Sequence, residues 1–254
     1  MKIRILGSGT SSGVPRIGND WGACDPNEPR NRRTRVSALV EHADTRILID
    51  TGPDMREQLL AADVATVDAV LWTHDHADHC HGIDDLRQLF HNAVAPVAGY
   101  ARAETLASLR SRFDYVFAGR AGYRSTVVGA ELPDRFEIGP VTVRCTDQPH
   151  GAILSAGLRF DADGGAIGYA TDFSAVTAGM LDLYRGVDIL IVDALRVAPH
   201  PTHPSLAQAI DFARNCGAAR TVLIHMDHSM DYATLCRDLP EGIEPGYDGL
   251  ELTL

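Results

Sequence analysis

Short apolar runs bounded by turn residues dominate the first third of the chain and predict β-strands. Four such runs cover residues 2–6, 37–41, 46–50 and 68–72, and the second and third are predicted to form a hairpin. After Pro53, which is favoured in the first turn of a helix, apolar residues recur at helical spacing. The pattern therefore predicts a hairpin followed by a helix and a further strand.

The second half repeats this mixture of strands and helices. Apolar runs predict strands at residues 141–145, 154–160, 167–170, 189–192, 222–224 and 250–252, and helical spacing predicts helices at 84–90, 103–112 and 205–216. The run at 189–192 is apolar throughout, which is typical of a strand covered on both faces. We expect one layered α/β domain over residues 1–254, with mixed sheets covered by helices.

The balance of charge excludes some classes of partner. With 23 Lys and Arg residues against 34 Asp and Glu, the net charge of −11 argues against a general nucleic-acid-binding protein, which needs a basic surface. No apolar run is long enough to cross a bilayer, and the first residues lack the features of a secretory signal. Five scattered cysteines imply no disulfide framework, so we expect a cytoplasmic protein without a membrane partner.

Residues 73–79, Thr-His-Asp-His-Ala-Asp-His, contain the pattern H-x-H-x-D-H directly after a predicted strand. The candidate ligands in it are His74, His76, Asp78 and His79. Imidazole nitrogens and carboxylate oxygens are the ligands that borderline divalent metals prefer. Six residues are too few to enclose one ion with four side chains in good geometry, so the motif favours two neighbouring ions that share the loop.

Further histidine and aspartate residues follow strand-like runs elsewhere in the chain. They are His150, Asp172, His203 and His225. In a layered α/β fold, side chains that follow strands gather at one edge and form the site. Each residue alone is more often structural than a ligand, but together with the upstream motif they favour a shared metal site.

These segments resemble a metallo-β-lactamase-fold hydrolase over nearly the whole chain. The matching segments are residues 6–10, 48–52, 73–79, 171–172 and 224–225. Residues 32–35 and 246–249 narrow the resemblance to one branch of the family. They are similar to the branch that contains the cyclic-phosphate phosphodiesterase of the carbon–phosphorus lyase pathway and that is related to ribonuclease Z. The resemblance implies an αββα sandwich with a dinuclear metal site on one edge.

The resemblance also implies a role for each candidate residue. The implied metal ligands are His74, His76 and His150 on one divalent ion, Asp78, His79 and His225 on the second, and Asp172 on both. Asp50 corresponds to a carboxylate that orients a ligand, a role that metal sites commonly need. Zn or Mn would suit these nitrogen and oxygen ligands, and so would Ni or Fe.

His203 corresponds to the family's catalytic histidine that does not bind metal. Two neighbouring divalent ions lower the pKa of a shared water and so supply a bridging hydroxide as nucleophile at neutral pH. The leaving oxygen then needs a proton, which a histidine outside the coordination shell can donate. We therefore predict that His203 and Asp78 are catalytic residues and that His203 is the general acid. His200 is the rival candidate for the general acid.

The chain departs from this branch near its N-terminus. Related members carry a C-x-C-x-x-C loop that holds a structural zinc together with a later histidine. Here the corresponding positions are Asn19, Trp21 and Cys24, with His228 as the histidine. Because one thiolate and one imidazole cannot build a closed tetrahedral site, we predict no structural zinc and expect Trp21 to pack in its place.

The leading hypothesis is a metal-dependent phosphodiesterase that acts on a small cyclic phosphate or nucleotide-like ester. The fold alone does not choose the reaction, since it also hydrolyses thioesters, lactones and β-lactams. A bridging aspartate argues against a β-lactamase, and a general acid favours phosphodiesters over the thioesters of a glyoxalase-II-like enzyme. A non-catalytic nucleotide-binding relative is a further alternative, and the acidic net charge disfavours a transfer-RNA nuclease.

Two arginine-rich segments carry no assigned role in this interpretation. The segment 100–124 is locally basic on an acidic chain, and residues 32–35 include Arg32, Arg33 and Arg35. Such arginines could receive a substrate phosphate or a second subunit, although they more often only solvate a helix face. A homodimer is implied by the resemblance alone.

Overall fold

The computed structural model describes residues 1–120, 122 and 124–254, and fourteen strands among them form two sheets of seven strands each. The strands of the first sheet are β1 (Lys2–Gly7), β2 (Ser37–His42), β3 (Thr45–Ile49), β4 (Ala69–Leu71), β5 (Val97–Ala101), β6 (Val127–Glu131) and β14 (Glu251–Thr253). The strands of the second sheet are β7 (Arg135–Ile138), β8 (Val141–His150), β9 (Ile153–Ala162), β10 (Gly165–Ala170), β11 (Ile189–Asp193), β12 (Arg220–Ile224) and β13 (Ile243–Pro245).

Each sheet is antiparallel on one side and parallel on the other. The first sheet runs in the order β14-β1-β2-β3-β4-β5-β6, antiparallel as far as β3 and parallel from β3 onward. The second runs in the order β13-β12-β11-β10-β9-β8-β7, parallel as far as β10 and antiparallel beyond it. Parallel neighbours need crossover connections, which is why helices accompany the parallel half of each sheet.

Most of the eight α-helices in the described part of the chain cover the outer faces of the sheets. They are α1 (Met55–Ala61), α2 (Ala77–Cys80), α3 (Leu86–Ala93), α4 (Ala103–Arg112), α5 (Asp114–Ala118), α6 (Ala178–Tyr184), α7 (Leu206–Cys216) and α8 (Tyr232–Asp238). Within the residues that the structure describes, no helix has the length and apolar character that crossing a membrane requires.

Buried apolar side chains form three layers of core. The inner layer lies between the two sheets and takes residues from both, such as Ile5, Ile47 and Leu158. A second layer packs α1, α3 and α4 against the first sheet around Trp72, and a third packs α6 and α7 against the second sheet around Phe212. The order is helix, sheet, sheet, helix, which confirms the predicted layered α/β fold of mixed sheets covered by helices.

Most predicted elements are present, with shifted ends. The helix predicted over 103–112 has these bounds, and Ser205 caps α7 in a capping box with Gln208. Strands β8 and β9 are longer than predicted, with ten residues each, because β8 continues through polar positions that alternate with buried ones. His150 therefore ends a strand, whereas the predicted strand stops at residue 145.

Several short elements are absent from the sequence predictions. They are β5, β6, β7, β13, α2, α5, α6 and α8, and α2 places Asp78 and His79 on a short helix where the sequence predicts a loop. Strand β5 shows why, because its sequence VAGYA is rich in small residues. A Cβ on Gly99 would lie 2.6 Å from the ring of Trp72, so close packing requires a glycine here and hides the strand from a hydrophobic pattern.

Candidate metal centre

The predicted site residues lie where strands of both sheets end at one edge. Asp50 follows β3, residues 73–79 follow β4, His150 ends β8, Asp172 follows β10 and His225 follows β12. Asp50, Asp172 and His225 have φ angles of 62°, 55° and 59°, a left-handed conformation that costs energy for residues other than glycine. The chain turns sharply after each of these strands, and the turns bring side chains from both sheets together.

Three histidines form the first cluster. One ring nitrogen from each of His74, His76 and His150 lies within 4.8 Å of the others. Nε2 of His150 is 3.3 Å from Nδ1 of His76, and Nε2 of His74 is buried without a hydrogen-bond partner. Nδ1 of His150 donates to the backbone carbonyl of Thr202 at 2.9 Å, which leaves Nε2 free to bind a metal.

Asp78, His79 and His225 form the second cluster, again with ligand atoms within 4.8 Å of one another. Oδ2 of Asp78 lies 3.5 Å from Nε2 of His79 and 3.6 Å from Nε2 of His225. Nδ1 of His79 donates to Oδ2 of Asp50 at 2.7 Å, and the backbone and hydroxyl of Thr73 donate to Asp50 in turn. Asp50 thus fixes the ring of His79 with Nε2 toward the cluster.

Asp172 lies between the two clusters. Its Oδ1 atom is 3.6 Å from Nε2 of His150 and 3.5 Å from Nε2 of His225. Its Oδ2 atom is 3.3 Å from Nε2 of His79. One carboxylate therefore faces both clusters, which is the position that a ligand shared by two ions would take.

The donor set fits two divalent metal ions. The Nε2 atoms of His74, His79 and His225 are buried and lack a hydrogen-bond partner in the described part of the chain, although such a buried atom costs about 1–3 kcal/mol. An ion about 2.1 Å from each ligand in tetrahedral geometry separates its ligand atoms by about 3.4 Å. Separations of 3.3–3.6 Å between ligand atoms agree with this geometry, and Nε2 of His74 lies somewhat farther, 4.0 Å from Oδ1 of Asp172.

Electrostatics distinguish the two clusters. Burial lowers the pKa of His74 well below 6.5, and the positive charge of His79 lowers it further, so His74 is neutral and able to ligate. Burial also opposes protonation of His79, but the carboxylates of Asp172 and Asp78 outweigh it and raise its pKa well above 6.5. His225 is likewise buried, yet neighbouring carboxylates, Asp172 above all, raise its pKa to about 9. The carboxylates thus favour positive charge at the second cluster, where a divalent ion would replace protons.

His203 lies beside the clusters and is held by Asp193, which the sequence pattern did not reveal. Nδ1 of His203 donates to Oδ2 of Asp193 at 2.8 Å, and its ring stacks on that of His225 with centroids 4.7 Å apart. Asp193 is buried and also accepts from the backbone N–H of Asp172 at 3.2 Å. A signal was available, because Asp193 is the first polar residue after the apolar run 189–192 and ends a parallel strand.

The two candidates for the general acid, His203 and His200, differ in their position relative to the clusters. Among the described residues, His203 lines a cavity of about 270 Å³ at the clusters, whereas His200 lies outside this lining. Nδ1 of His200 accepts from a backbone N–H of its own loop at 3.3 Å. His203 also forms a group with Asp172, Asp193 and His225 whose ligand atoms lie within 4.8 Å of one another. The metal content of a His203 variant therefore distinguishes a ligand from a proton donor.

Arginines of the basic segment 100–124 make contacts within the protein. Arg102 pairs with Asp147 at 2.7 Å, and Arg110 donates to the backbone carbonyl of Gly129 at 2.7 Å. These contacts join α4 and its N-terminus to neighbouring strands. Both guanidinium groups are therefore used in tertiary contacts, and neither belongs to the lining of the cavity at the clusters.

Arg112 braces the loop that carries the first ligands. It donates to the backbone carbonyl of Asp75 at 2.5 Å and to Nε2 of His81 at 2.5 Å. Asp75 is the residue inside the H-x-H part of the motif, and Ser108 of α4 donates to its carboxylate. Helix α4 is therefore tied to the metal loop at Asp75 and, two residues beyond the motif, at His81.

Replacing Arg112 with methionine is expected to weaken metal binding about 10-fold, because losing a partner that orients ligands typically costs about 10–100-fold. Competition with a chromogenic chelator measures the affinity. Arg110→Met is the matched control, since Arg110 lies on the same helix and contacts the backbone of Gly129 instead. Equal metal affinities in Arg112→Met and the unaltered protein would refute the bracing role.

Near the N-terminus, a buried arginine packs beside Cys24. Nη1 of Arg33 lies 3.8 Å from Sγ of Cys24, and its terminal nitrogens donate to two backbone carbonyls after β12 at 3.2 and 2.6 Å. Trp21, expected in this space, instead lies half-buried with the guanidinium of Arg32 over its ring. A cationic group beside the lone thiol supports the prediction that no structural zinc binds here.

Comparison with known proteins places the chain among relatives of one superfamily. Residues 45–226 match the Beta-lactamase superfamily domain. The crystal structure of a new diphosphatase from the PhnP family has a TM-score of 0.91 and 36% identity, covering 100% of this chain and 97% of that chain.

Two longer proteins are also similar in sequence. An octanoyltransferase from Porphyromonas gingivalis is 36% identical over 99% of this chain and 51% of its own length. The mitochondrial ribonuclease Z of Drosophila melanogaster is 26% identical over 92% of this chain and 34% of its own length. The chain thus spans about half, or less, of the length of these relatives.

Proposed function

The chain belongs to the β-lactamase superfamily and, within it, to the PhnP family, and from this premise we propose that it is a phosphodiesterase for a small cyclic phosphate or nucleotide-like ester. Membership of the superfamily makes it a metal-dependent hydrolase, and the fold implies divalent ions. The finer proposal depends on the position of Asp172 between two ligand clusters, with Nδ1 of His203 3.6 Å from its Oδ1 atom. A paired metal site with a separate proton donor suits the displacement of an alkoxide from phosphorus.

We propose that seven residues hold two divalent ions, Zn or Mn, with Ni or Fe also compatible with the ligands. The proposed ligands are His74, His76 and His150 on one ion, Asp78, His79 and His225 on the other, and Asp172 on both. When bound, such ions supply a nucleophile from water at neutral pH and neutralise the charge of a phosphoryl group. We propose that Asp78 takes part in catalysis through the ion that it would hold together with His79 and His225, since its carboxylate lies 3.5 and 3.6 Å from their Nε2 atoms.

Asp193 keeps His203 ready to donate a proton. In the protonated ring both nitrogens carry a proton, and because the Nδ1 proton of His203 is held by Asp193, the Nε2 proton is the one available to the leaving oxygen. The buried carboxylate of Asp193 also stabilises the positive charge of the protonated ring. Both residues thus serve one task, the protonation of a leaving group that departs poorly as an anion.

A thioesterase is the second candidate, because the relative from Porphyromonas gingivalis is named for acyl transfer. That protein is about twice as long, and this chain covers 51% of it. A thiolate leaves without the help of a general acid, whereas an alkoxide of high pKa needs one. The pairing of His203 with Asp193 therefore favours phosphodiesters over thioesters.

Two properties of the chain support a small substrate. The cavity at the clusters has a volume of about 270 Å³, which suits a small molecule. The net charge of −11 opposes binding of a long RNA, whose phosphates require a basic surface. We therefore propose a substrate of nucleotide size.

Hydrolysis of three substrates in parallel tests this function. Bis-p-nitrophenyl phosphate, a 2′,3′-cyclic nucleotide and a glutathione thioester are offered to the protein loaded with Mn²⁺ or Zn²⁺, with chelator-treated protein as control. We expect turnover of both phosphodiesters and its loss after chelation. Preference for the thioester would overturn the substrate class, and no turnover despite full metal loading would favour a binding protein.

A further inference from the structure

A chain of buried hydrogen bonds ends on the backbone of Asp172. The hydroxyl of Ser155 donates to the backbone carbonyl of Asp172 at 2.7 Å. Nε2 of Gln148 donates to Oγ of Ser155 at 3.0 Å and to the backbone carbonyl of Thr171 at 2.8 Å. The hydroxyl of Tyr184 donates to Oε1 of Gln148 at 3.0 Å, so the amide is held with Nε2 toward Ser155. Strands β8 and β9 and helix α6 thus support the turn that carries the proposed shared ligand.

Every member of this network is buried and paired. The five residues are at most 1% exposed, and a buried polar group without a partner is costly. Gly157 makes room for the network, because a Cβ there would clash with the hydroxyl of Tyr184 and lie 2.5 Å from Oε1 of Gln148. The pairing of the strands does not need these side chains, since Gln148 and Ser155 already lie opposite each other in the ladder of β8 and β9. A fully satisfied polar network specifies one arrangement of its members, and here that arrangement includes the turn at Asp172.

The turn at Asp172 depends on side-chain contacts. Its φ angle of 55° is left-handed, a conformation that residues other than glycine keep only where their surroundings hold it. The ladder between β9 and β10 ends with Tyr169 opposite Leu158, three residues before Asp172, and so stops short of the turn. Ser155 instead fixes the carbonyl of Asp172, and Oδ2 of Asp193 accepts from its N–H at 3.2 Å.

The same network reaches the Asp172 carboxylate through Thr171. The hydroxyl of Thr171 donates to Oδ2 of Asp172, and the backbone carbonyl of Thr171 is the one that Gln148 holds. Oδ2 is also the oxygen that lies 3.3 Å from Nε2 of His79 in the second cluster. Gln148 and Ser155 therefore hold the carbonyl groups before and after the Cα atom of Asp172.

Strand β9 also reaches the loop that carries the first ligands. The backbone N–H of Ala156 donates to the carbonyl of Thr73 at 2.8 Å, and Thr73 directly precedes His74. Ser155 and Ala156 are consecutive, so one rigid peptide unit joins the contact with Asp172 to the contact with Thr73. This segment of β9 thereby sets the spacing between ligands that come from different sheets.

Resting on the metal centre and the phosphodiesterase function proposed above, we propose that Ser155, oriented by Gln148, is a positioning residue that keeps the Asp172 carboxylate between the two metal ions. A carboxylate can serve two ions about 3.5–4 Å apart only while both of its oxygens stay directed at them. Without the hydroxyl of Ser155, the carbonyl of Asp172 loses its buried partner, and the left-handed turn loses a contact that holds it. The carboxylate then rotates away from one of the ions, and both the affinity for the pair and the coupling between the ions fall.

The electron paramagnetic resonance spectrum of the Mn²⁺-loaded protein tests this role, because two Mn²⁺ ions joined by shared ligands couple magnetically and a lone ion does not. At saturating Mn²⁺, we expect the unaltered protein to give the spectrum of a coupled pair. Ser155→Ala should lose most of this signal and bind Mn²⁺ about 10-fold more weakly, as is typical when a partner that orients a ligand is lost. Ser155→Thr keeps the hydroxyl and should restore both.

Gln148→Met removes the amide at nearly constant volume and should have the same effect in smaller measure, because Ser155 keeps its own bond to Asp172. If Ser155→Ala does not fold, Gln148→Met decides the matter by the same two measurements. Val143→Ala is the matched control, since Val143 is buried in the same strand as Gln148 and belongs to the inner core. Its cavity lowers Tm but should leave the coupling and the Mn²⁺ affinity unchanged. A coupled spectrum and unchanged affinity in both network variants would show that the network only stabilises the fold and would overturn the proposal.

Hydrolysis of bis-p-nitrophenyl phosphate by the same samples separates a failure of this proposal from a failure of the proposed function. A coupled Mn²⁺ pair without hydrolysis of any phosphodiester would overturn the function alone, and the loss of coupling in Ser155→Ala would still support the positioning role. Hydrolysis with unchanged coupling and affinity in Ser155→Ala would overturn the positioning role alone. A single ion in the unaltered protein at saturating Mn²⁺ would overturn the positioning role together with the dinuclear centre.

Discussion

Replacing His203 with alanine is expected to lower kcat for a 2′,3′-cyclic nucleotide by about 100- to 10,000-fold while both metal ions stay bound, because general acid catalysis contributes about this factor. The loss should be smaller for bis-p-nitrophenyl phosphate, since p-nitrophenolate leaves with little need for a proton. Asp193→Asn should lower the same rate, because Asp193 holds Nδ1 of His203 at 2.8 Å. Steady-state kinetics on both substrates, with metal analysis of each variant, measures these effects.

His200→Ala is the matched control, since the ring of His200 accepts a hydrogen bond within its own loop. Its activity should remain close to that of the unaltered protein. A fall in the metal content of His203→Ala would instead identify His203 as a ligand, in the group that includes Asp172 and His225. Full metal content with an unchanged rate on the cyclic nucleotide would exclude His203 as the proton donor.

The largest effect on metal binding is expected for Asp172→Ala. The Asp172 carboxylate lies 3.3–3.6 Å from Nε2 atoms of both clusters, so its removal weakens the binding of both ions. We expect metal affinity and phosphodiesterase activity to fall by more than about 100-fold, beyond the range typical for an outer partner of a ligand. Elemental analysis after gel filtration, together with hydrolysis of bis-p-nitrophenyl phosphate, measures both.

Asp182→Ala is a suitable control for this variant, because Asp182 is an exposed aspartate on α6. It should keep the metal content and activity of the unaltered protein. Two ions bound to Asp172→Ala with unchanged affinity would contradict the bridging position of Asp172.

The metal loop is predictable from sequence because its candidate ligands are neighbours in the chain. Four of them fall within residues 74–79, so their spacing alone identifies the chemistry. His150, Asp172 and His225 are predictable for another reason, because each comes after an apolar run and strands that point in the same direction end at the same edge of a sheet. The structure brings all of these residues together at that edge.

The roles of arginines are not predictable in this way. Arg33 and Arg35 are two residues apart, yet the first is buried beside Cys24 and the second is partly exposed and pairs with Asp54. Arg112 lies in the basic segment for which the sequence suggests binding of a substrate phosphate. In the structure, however, it contacts the metal loop. An arginine interrupts the hydrophobic pattern of the sequence in the same way whether it is buried or exposed. Only its tertiary contacts therefore distinguish these roles.

The layered fold follows from the alternation of strands and helices, but individual strand ends do not. The apolar pattern does not identify Asp193, because the predicted strand ends at the last apolar residue, one position before it. His150 lies beyond the end of the predicted strand because polar residues interrupt the apolar pattern of β8 on its less buried side. Both differences arise at the site edge, where strands end in polar residues that serve the site and so break the hydrophobic pattern.

An anomalous difference map from crystals of the metal-loaded protein tests most directly whether side chains of both sheets hold two adjoining divalent ions. At the absorption edge of the bound metal, we expect two peaks about 3.5–4 Å apart, the usual spacing in two-metal sites. One peak should lie at each cluster, with the Asp172 carboxylate between them. A single peak, or peaks remote from Asp172, in a protein that hydrolyses phosphodiesters would contradict the dinuclear centre.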